Sequence, residues 1–333
     1  MSGPRARAEL NHNLLRLTRQ TGVALISVLL IVAILMAVAS RLLANHNLVI
    51  NQHQNTFEFD QALNYALGAE VLATQALLLD AQESTSDHLE EIWAQDILPF
   101  ELDEGGFIEA QMTDLHSCFN LNNVRLGKED EDHHKQAKAL LQLLGMGPDI
   151  ADAWRDWVDG DNDVTGLAGA EENVYLVADP AYRTPNQDVT STSELLLLAN
   201  IDKKQLQELL PHVCLLPTAN GPTKINVNTA GALVLASLMD QPSLGVTEPI
   251  VMGERAYEDT QSFTNAHQDY VTRGDNLEVT SQYFSLHVQA QVGDATVTLQ
   301  SLLYRSDPNT VTVLARDFGK LFVSNLQVET TLN

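Results

Sequence analysis

The sequence predicts an α+β protein in which a long N-terminal helix packs on an antiparallel sheet and a large all-helical domain is inserted into that sheet. Three observations carry the prediction. No proline or glycine occurs from Val23 to Leu67, so one helix can run far into the chain. Alternating apolar and polar residues mark strands near Ile108–Thr113 and again from Phe284 onward. Between them, residues 127–276 carry apolar positions at helical spacing.

The helix begins as a rod. From Val23 to Ala39 only Ser27 is polar, a run of about seventeen residues at the short end for a membrane span. Residues 1–22 carry four arginines and one glutamate, so a basic flank precedes the rod and sets a cytoplasm-in orientation. A secretory signal would have a shorter core and a small-residue cleavage site after it. Here helix-favouring sequence continues instead. Leu48, Val49, Phe57, Phe59, Leu63 and Leu67 alternate with Gln, Asn and His, which predicts an amphipathic continuation to about Asp80. Such a helix is roughly 85 Å long at ~1.5 Å per residue.

A polar break and a Gly-Gly turn follow, then the strand with Ile108, Ala110 and Met112 on one face. In the helical region, Ala137, Leu140, Leu141 and Leu144 share a helix face, and Pro148 sits near the first turn of the next helix. Ser191 with Glu194 forms a capping box, and shorter helices are expected over residues 202–211, 228–239 and 247–258. Toward the C-terminus, Phe284, Leu286, Val288, Ala290 and Val292 alternate, and Gly293-Asp294 turns the chain into a second strand through Val297 and Leu299. Residues 309–318 add a further strand.

Net charge is −25, and beyond residue 22 it is −28. Such a surface repels phosphate backbones, so nucleic acid is not an expected partner. It suits oxygen-liganded cations and cationic surfaces. The sequence shows no Gly-x-Ser-x-Gly, HExxH or phosphate-binding loop, and no enzyme is expected.

The densest chemistry lies in DWVDGDNDVTGLAGAEE. Asp161, Asp163, Thr165, Gly166 and Glu172 occupy positions 1, 3, 5, 6 and 12 of a calcium-loop spacing. The glycine permits the sharp turn, and the last glutamate can bind through both oxygens. Asp159 and Glu171 flank the loop and can serve a second ion or replace a ligand. The following NVYLVAD reads as strand, so the expectation is a calcium loop on a scaffold other than a paired EF-hand. The other reading is a solvated acidic loop.

Cys118 and Cys214 belong to no CxxC or Cys/His cluster, so a zinc site is not expected. Outside the cytoplasm they can form a disulfide closing almost a hundred residues, worth roughly 4–5 kcal/mol in the chain-entropy model; two buried thiols are the alternative. His133 and His134 read as a solvated helix start, Trp93, Trp154 and Trp157 as core or partner contacts, and Asn226, Asn228 and Thr229 as helix-cap and turn residues.

A basic leader, a glycine, an apolar helix start and a long continuing helix resemble type IV pilins and the pseudopilins of type II secretion. The DW-x-D…GAE stretch from Asp156 to Glu171, the TKINVNTAGALVLASL segment and a sheet split by a helical domain are similar to the K family of minor pseudopilins. That resemblance implies cleavage of the leader after Gly22 by a prepilin peptidase and N-methylation of Val23. It places Ser27 where the family's filament-forming members carry a glutamate, which suits a first subunit with no predecessor to pair that charge. It implies calcium in the helical domain, a tip complex with I- and J-type minor pseudopilins, contact with the inner-membrane secretion platform, and the exported protein as a further candidate partner. Localisation is expected to be single-pass in the inner membrane with the C-terminal domain in the periplasm. The implied division is a leader at 1–22, the long helix at 23–82 with a span at 23–40, the first part of a pilin-like core at 83–126, the helical insert at 127–276, and the returning strands at 277–333. A tip pilin of a type IV pilus, for adhesion or DNA uptake, is the alternative.

Overall fold

The computed structural model describes residues 21–95, 97–102, 105–125 and 131–319. Helix α1 (Thr21–Glu83) is 63 residues long. The chain divides into two compact units, one ending at Gln61 and the other starting at Ala62. In the first, Leu, Ile and Val side chains from Val23 to Ile50 are exposed, and the helix is long and apolar enough to cross a membrane. A helix can expose such a face in lipid because every backbone hydrogen bond is satisfied within it.

The second unit begins where α1 becomes a core element. Ala62, Ala66 and Leu77 are fully buried, and Ala69 and Ala73 pack beside them. Small residues at helical spacing let a sheet approach the helix backbone closely.

The elements that follow are β1 (Ile97–Glu101), β2 (Gly106–Asp114) and β3 (Phe119–Asn120), then α2 (Glu131–Leu143), α3 (Asp149–Val158), α4 (Glu172–Tyr175) and α5 (Lys203–Leu209). Next come β4 (Val213–Cys214), β5 (Ile225–Asn226), α6 (Ala232–Ser237), α7 (Leu244–Met252) and α8 (Thr260–Ala266). The chain returns through β6 (Leu277–Glu278), β7 (Tyr283–Val292), β8 (Ala295–Asp307) and β9 (Thr310–Asp317). The main sheet has the order β1-β2-β7-β8-β9, antiparallel throughout. Strand β2 pairs with β7 from Gly106↔Val292 to Asp114↔Phe284, so the whole helical region is inserted between two neighbouring strands. The alternation anticipated for β7 holds: Phe284, Leu286, Val288, Ala290 and Val292 all point into the core under α1.

The insert has its own cores. In one, Trp154, Trp157 and Tyr175 pack with Phe119, Leu140 and Leu141. In another, Phe263 and Tyr270 pack with Val227 and Leu235. The three tryptophans are at most 4% exposed, as core residues should be. Three consecutive-turn asparagines stitch the insert's irregular backbone. Asn122 brackets Val189, donating to its carbonyl at 3.0 Å and accepting from its amide at 2.8 Å. Asn123 does the same to Thr223, and Asn120 to Leu216. Buried backbone groups outside regular structure need such partners.

Four local expectations need correction. Residues after Glu172 form the single-turn α4, not a strand, because Tyr175 is drawn inward against Trp157 with ring centroids 5.0 Å apart. His133 and His134 are buried, not solvated; His134 Nε2 pairs with Asp152 Oδ1 at 2.8 Å. The helix expected over 247–258 is α7, which starts earlier and stops at Met252 before Gly253. Asn226 fixes a turn through its Oδ1 and the Asn228 amide, but the N-cap of α6 is Gly231, with no side-chain cap. The capping box at Ser191 and Glu194 is present, on a 3-10 helix rather than an α-helix.

Candidate metal centre

The acidic loop starts on α3. Asp156 lies in its last turn and Asp159 is its extended C-cap. Asp156 is fully buried, and its two carboxylate oxygens accept from the Thr165 amide at 3.0 and 3.2 Å. That contact folds the loop back over the helix. Gly166 turns the loop at φ +63°, the left-handed conformation anticipated for position 6. Gly169 packs so closely that a β-carbon there would overlap the Asp156 carboxylate and the Thr165 backbone. The loop then delivers Glu171 inward, with 3% of its surface exposed.

The result is a convergence of Asp159, Asp161 and Glu171, whose carboxylate oxygens lie within 4.8 Å of one another. Oxygens on one calcium ion sit about 2.4 Å from it, so separations up to roughly 4.8 Å are compatible with a shared ion. Both Glu171 oxygens and Asp159 Oδ1 are shut from solvent and accept no hydrogen bond. A buried carboxylate in that condition calls for a cation or a proton. Burial, then repulsion from Asp156 and Asp159, pushes the Glu171 carboxyl up to about 7. Burial, then Asp161 and Asp156, pushes Asp159 up to about 6. These residues fit a hard divalent cation with oxygen ligands, which is calcium chemistry.

The loop does not bring every candidate into that cluster. Asp163 is exposed, and its amide donates to Asp161 Oδ1 at 2.9 Å. Thr165 is engaged by Asp156, through both its amide and its side chain. Glu172, the twelfth position, turns outward and pairs with Arg183 at 2.8 Å. Spacing alone could not decide between adjacent glutamates; the N-terminus of α4 does, because Glu171 is its extended N-cap and Glu172 already lies on the helix. Asn186 was not singled out from sequence. It adopts a positive φ of 49°, donates to the Asp161 carbonyl at 3.3 Å and leaves its own Oδ1 sheltered without a partner. No periodicity links it to the loop.

The other candidate residues are not members of this cluster. Val23 and Ser27 are on α1, with the Ser27 hydroxyl donating to the Val23 carbonyl at 2.8 Å. Gly22 is helical, and the leader through residue 20 lies outside the described residues. Cys118 and Cys214 are buried and unbonded, side by side, both aimed at the Leu115 carbonyl at 3.2 and 3.3 Å.

Comparison with known proteins gives a consistent answer. The family model described as Type II secretion system (T2SS), protein K, matches residues 117–218. Type II secretion system protein K of Pseudomonas aeruginosa is 36% identical over 316 residues, spanning 90% of this chain and 93% of its own length. The Klebsiella pneumoniae protein of the same name is 34% identical over 327 residues, spanning 92% and 99%. Among solved structures, a chain of the GspK-GspI-GspJ complex from the enterotoxigenic Escherichia coli Type 2 Secretion System matches with a TM-score of 0.70 and 27% identity, covering 81% of this chain and 100% of that one. These relatives do not favour the type IV pilus alternative. With its long apolar-ended helix and its sheet split by a helical insert, the chain belongs to the type II secretion system protein K family of minor pseudopilins.

Proposed function

We propose that this minor pseudopilin works at the tip of the secretion pseudopilus, where it joins I- and J-type minor pseudopilins and starts or caps assembly. The observation that carries this reading is the likeness to a whole chain of the GspK-GspI-GspJ complex. The insert between β2 and β7 supports it too, since a subunit carrying such bulk stacks poorly inside a repeating filament. Its membrane span is the apolar start of α1, with the domain from Ala62 onward in the periplasm. A prepilin peptidase cuts after Gly22 and Val23 becomes the methylated N-terminus. Ser27 satisfies its hydroxyl on its own helix, so it carries no charge that a preceding subunit must neutralise. Contact with the inner-membrane platform follows from that anchoring, and the exported protein is a further partner of the exposed tip.

Calcium is proposed for the helical insert, held by Asp159, Asp161 and Glu171, with Asp163, Thr165 and Glu172 on the same loop. The orphaned Glu171 oxygens are the supporting observation. The ion neutralises buried carboxylates and fixes the loop on α3.

Two measurements test the proposal. Intact-mass analysis of the protein from membranes should find a methylated Val23 N-terminus; an uncut leader ends the pseudopilin-processing reading. Affinity capture of the full chain in detergent should recover the I- and J-type subunits. A methylated chain that recovers neither overturns the tip complex alone.

A further inference from the structure

A second group of buried carboxylates lies outside the insert, where α1 ends against the sheet. Asp80 comes from the last turn of α1, Asp87 from the loop after it, and Glu91 from the residue that opens the next 3-10 helix. Their side chains are 6%, 2% and 8% exposed. Carboxylate oxygens from all three lie within 4.8 Å of one another.

One guanidinium serves this group. Arg305 Nη1 is 3.3 Å from Asp80, and Nη2 is 2.5 Å from Asp87. These three carboxylates meet that one guanidinium in a place water barely reaches. The neighbouring Asp114 is a further carboxylate, and its oxygens accept from Asn226, Thr229, Ser281 and the His116 amide. Glu91 completes the argument. Its Oε2 accepts from Trp93 Nε1 at 2.7 Å and the His88 amide at 3.1 Å. Its Oε1 is sealed from solvent and accepts no hydrogen bond, with His88 Nε2 at 3.5 Å. A buried carboxylate oxygen without a donor is costly. A cavity of about 340 Å³ borders Asp87 and Arg305, with Ser84 and Ser281 also in its lining.

We infer that Asp80, Asp87 and Glu91 form a second divalent-cation site, one oxygen from each residue and water completing the shell, with calcium as the matching ion. A divalent cation would offset the negative charge that Arg305 leaves. The ion would tie the end of α1 to the loop and 3-10 helix that lead into the sheet, independently of the site in the insert.

The test uses the full chain in detergent and calcium as the probe, with bound metal measured by atomic emission after equilibrium dialysis and far-UV circular dichroism as the folding control. Adding Glu91→Gln to a Glu171→Gln background should lower bound calcium by about one ion per chain. That step is read whatever Glu171 itself contributes, so its failure is distinct from failure of the insert site. Terbium gives a second readout, because Trp93 is hydrogen-bonded to Glu91 and can sensitise emission. In the Glu171→Gln background, Trp93→Phe should lower tryptophan-sensitised terbium emission while calcium stoichiometry stays constant. Unchanged calcium on Glu91→Gln, or unchanged terbium emission on Trp93→Phe, overturns the site and leaves a proton as the neutralising partner. If Glu91→Gln does not fold, the terbium measurement alone decides.

Discussion

Arg316 on β9 grips Glu70 on α1 with two parallel hydrogen bonds, Nε to Oε2 at 2.8 Å and Nη2 to Oε1 at 2.7 Å. The Glu70 side chain is 5% exposed and the arginine 44%. Ser301 on β8 donates to the same carboxylate. One helical carboxylate therefore binds the two last strands of the sheet. Removing the arginine strands a buried charge, which typically costs 3–5 kcal/mol for a fully buried pair. The arginine's exposure reduces that, so Arg316→Met should destabilise the domain by about 2 kcal/mol. Urea unfolding followed by circular dichroism checks it; a shift below about 0.5 kcal/mol would mean the pair is cosmetic.

The same carboxylate sets an acid limit. Burial alone would raise the Glu70 pKa, but the bonds from Arg316 and Ser301 outweigh it and hold it below its ordinary value. A group with a lowered folded pKa stabilises above its unfolded value and loses that contribution as pH falls through the folded one. Glu70→Gln should therefore flatten the acid limb of the stability profile. His116 acts with opposite sign. Burial would lower its pKa, yet contact with Glu278 and the nearby Asp114 and Asp87 raise it. Its contribution is complete below pH 6.5 and is lost as pH rises through the raised value. His116→Gln should flatten the alkaline limb and leave the acid limb alone. Thermal melts across pH decide both.

Calcium should matter more as pH rises. Without the ion, the raised carboxyls of Glu171, at about 7, and Asp159, at about 6, favour the folded state when protonated, and that stabilisation is lost as pH climbs through those values. An ion that replaces the protons removes the loss. The rise in melting temperature on adding calcium should be larger at pH 8 than at pH 5, and Glu171→Gln should remove the insert loop's share of it. An equal rise at both pH values would show that calcium binds elsewhere.

The cysteines give an independent readout of compartment. Burial raises the Cys214 thiol well above its ordinary range, with Cys118 beside it adding to the effect, so the nucleophilic thiolate is scarce. Oxidation should then need a catalyst. Protein recovered from the periplasmic side should weigh about 2 Da less than reduced protein, and Cys214→Ser should cost roughly 4–5 kcal/mol of stability in that material. Equal masses before and after reduction would show that two thiols persist in the cell.

The loop also has a steric prediction. A side chain at Gly169 meets the Asp156 carboxylate and the Thr165 backbone, the contact that folds the loop over α3. Gly169→Val should weaken calcium binding at least tenfold while leaving the main sheet's circular dichroism in place; unchanged affinity would mean the fold of the loop does not govern the site.

What the sequence by itself determined was everything governed by near neighbours. The apolar run from Val23, the alternation through Phe284 and Val292, the turn at Gly166 and the capping box at Ser191 each depend on residues within a turn or a strand of one another. The tertiary structure decided which polar groups meet. Glu70 with Arg316, Asp80 and Asp87 with Arg305, Asn122 with Val189, and the burial of His134 against Asp152 join positions that no periodicity relates. The choice of Glu171 over Glu172 is of the same kind, since neighbouring carboxylates are chemically identical until one is drawn out of water. Burial makes a charge demand its partner, and which charges are buried together is settled by how the separated halves of the sheet close around the insert.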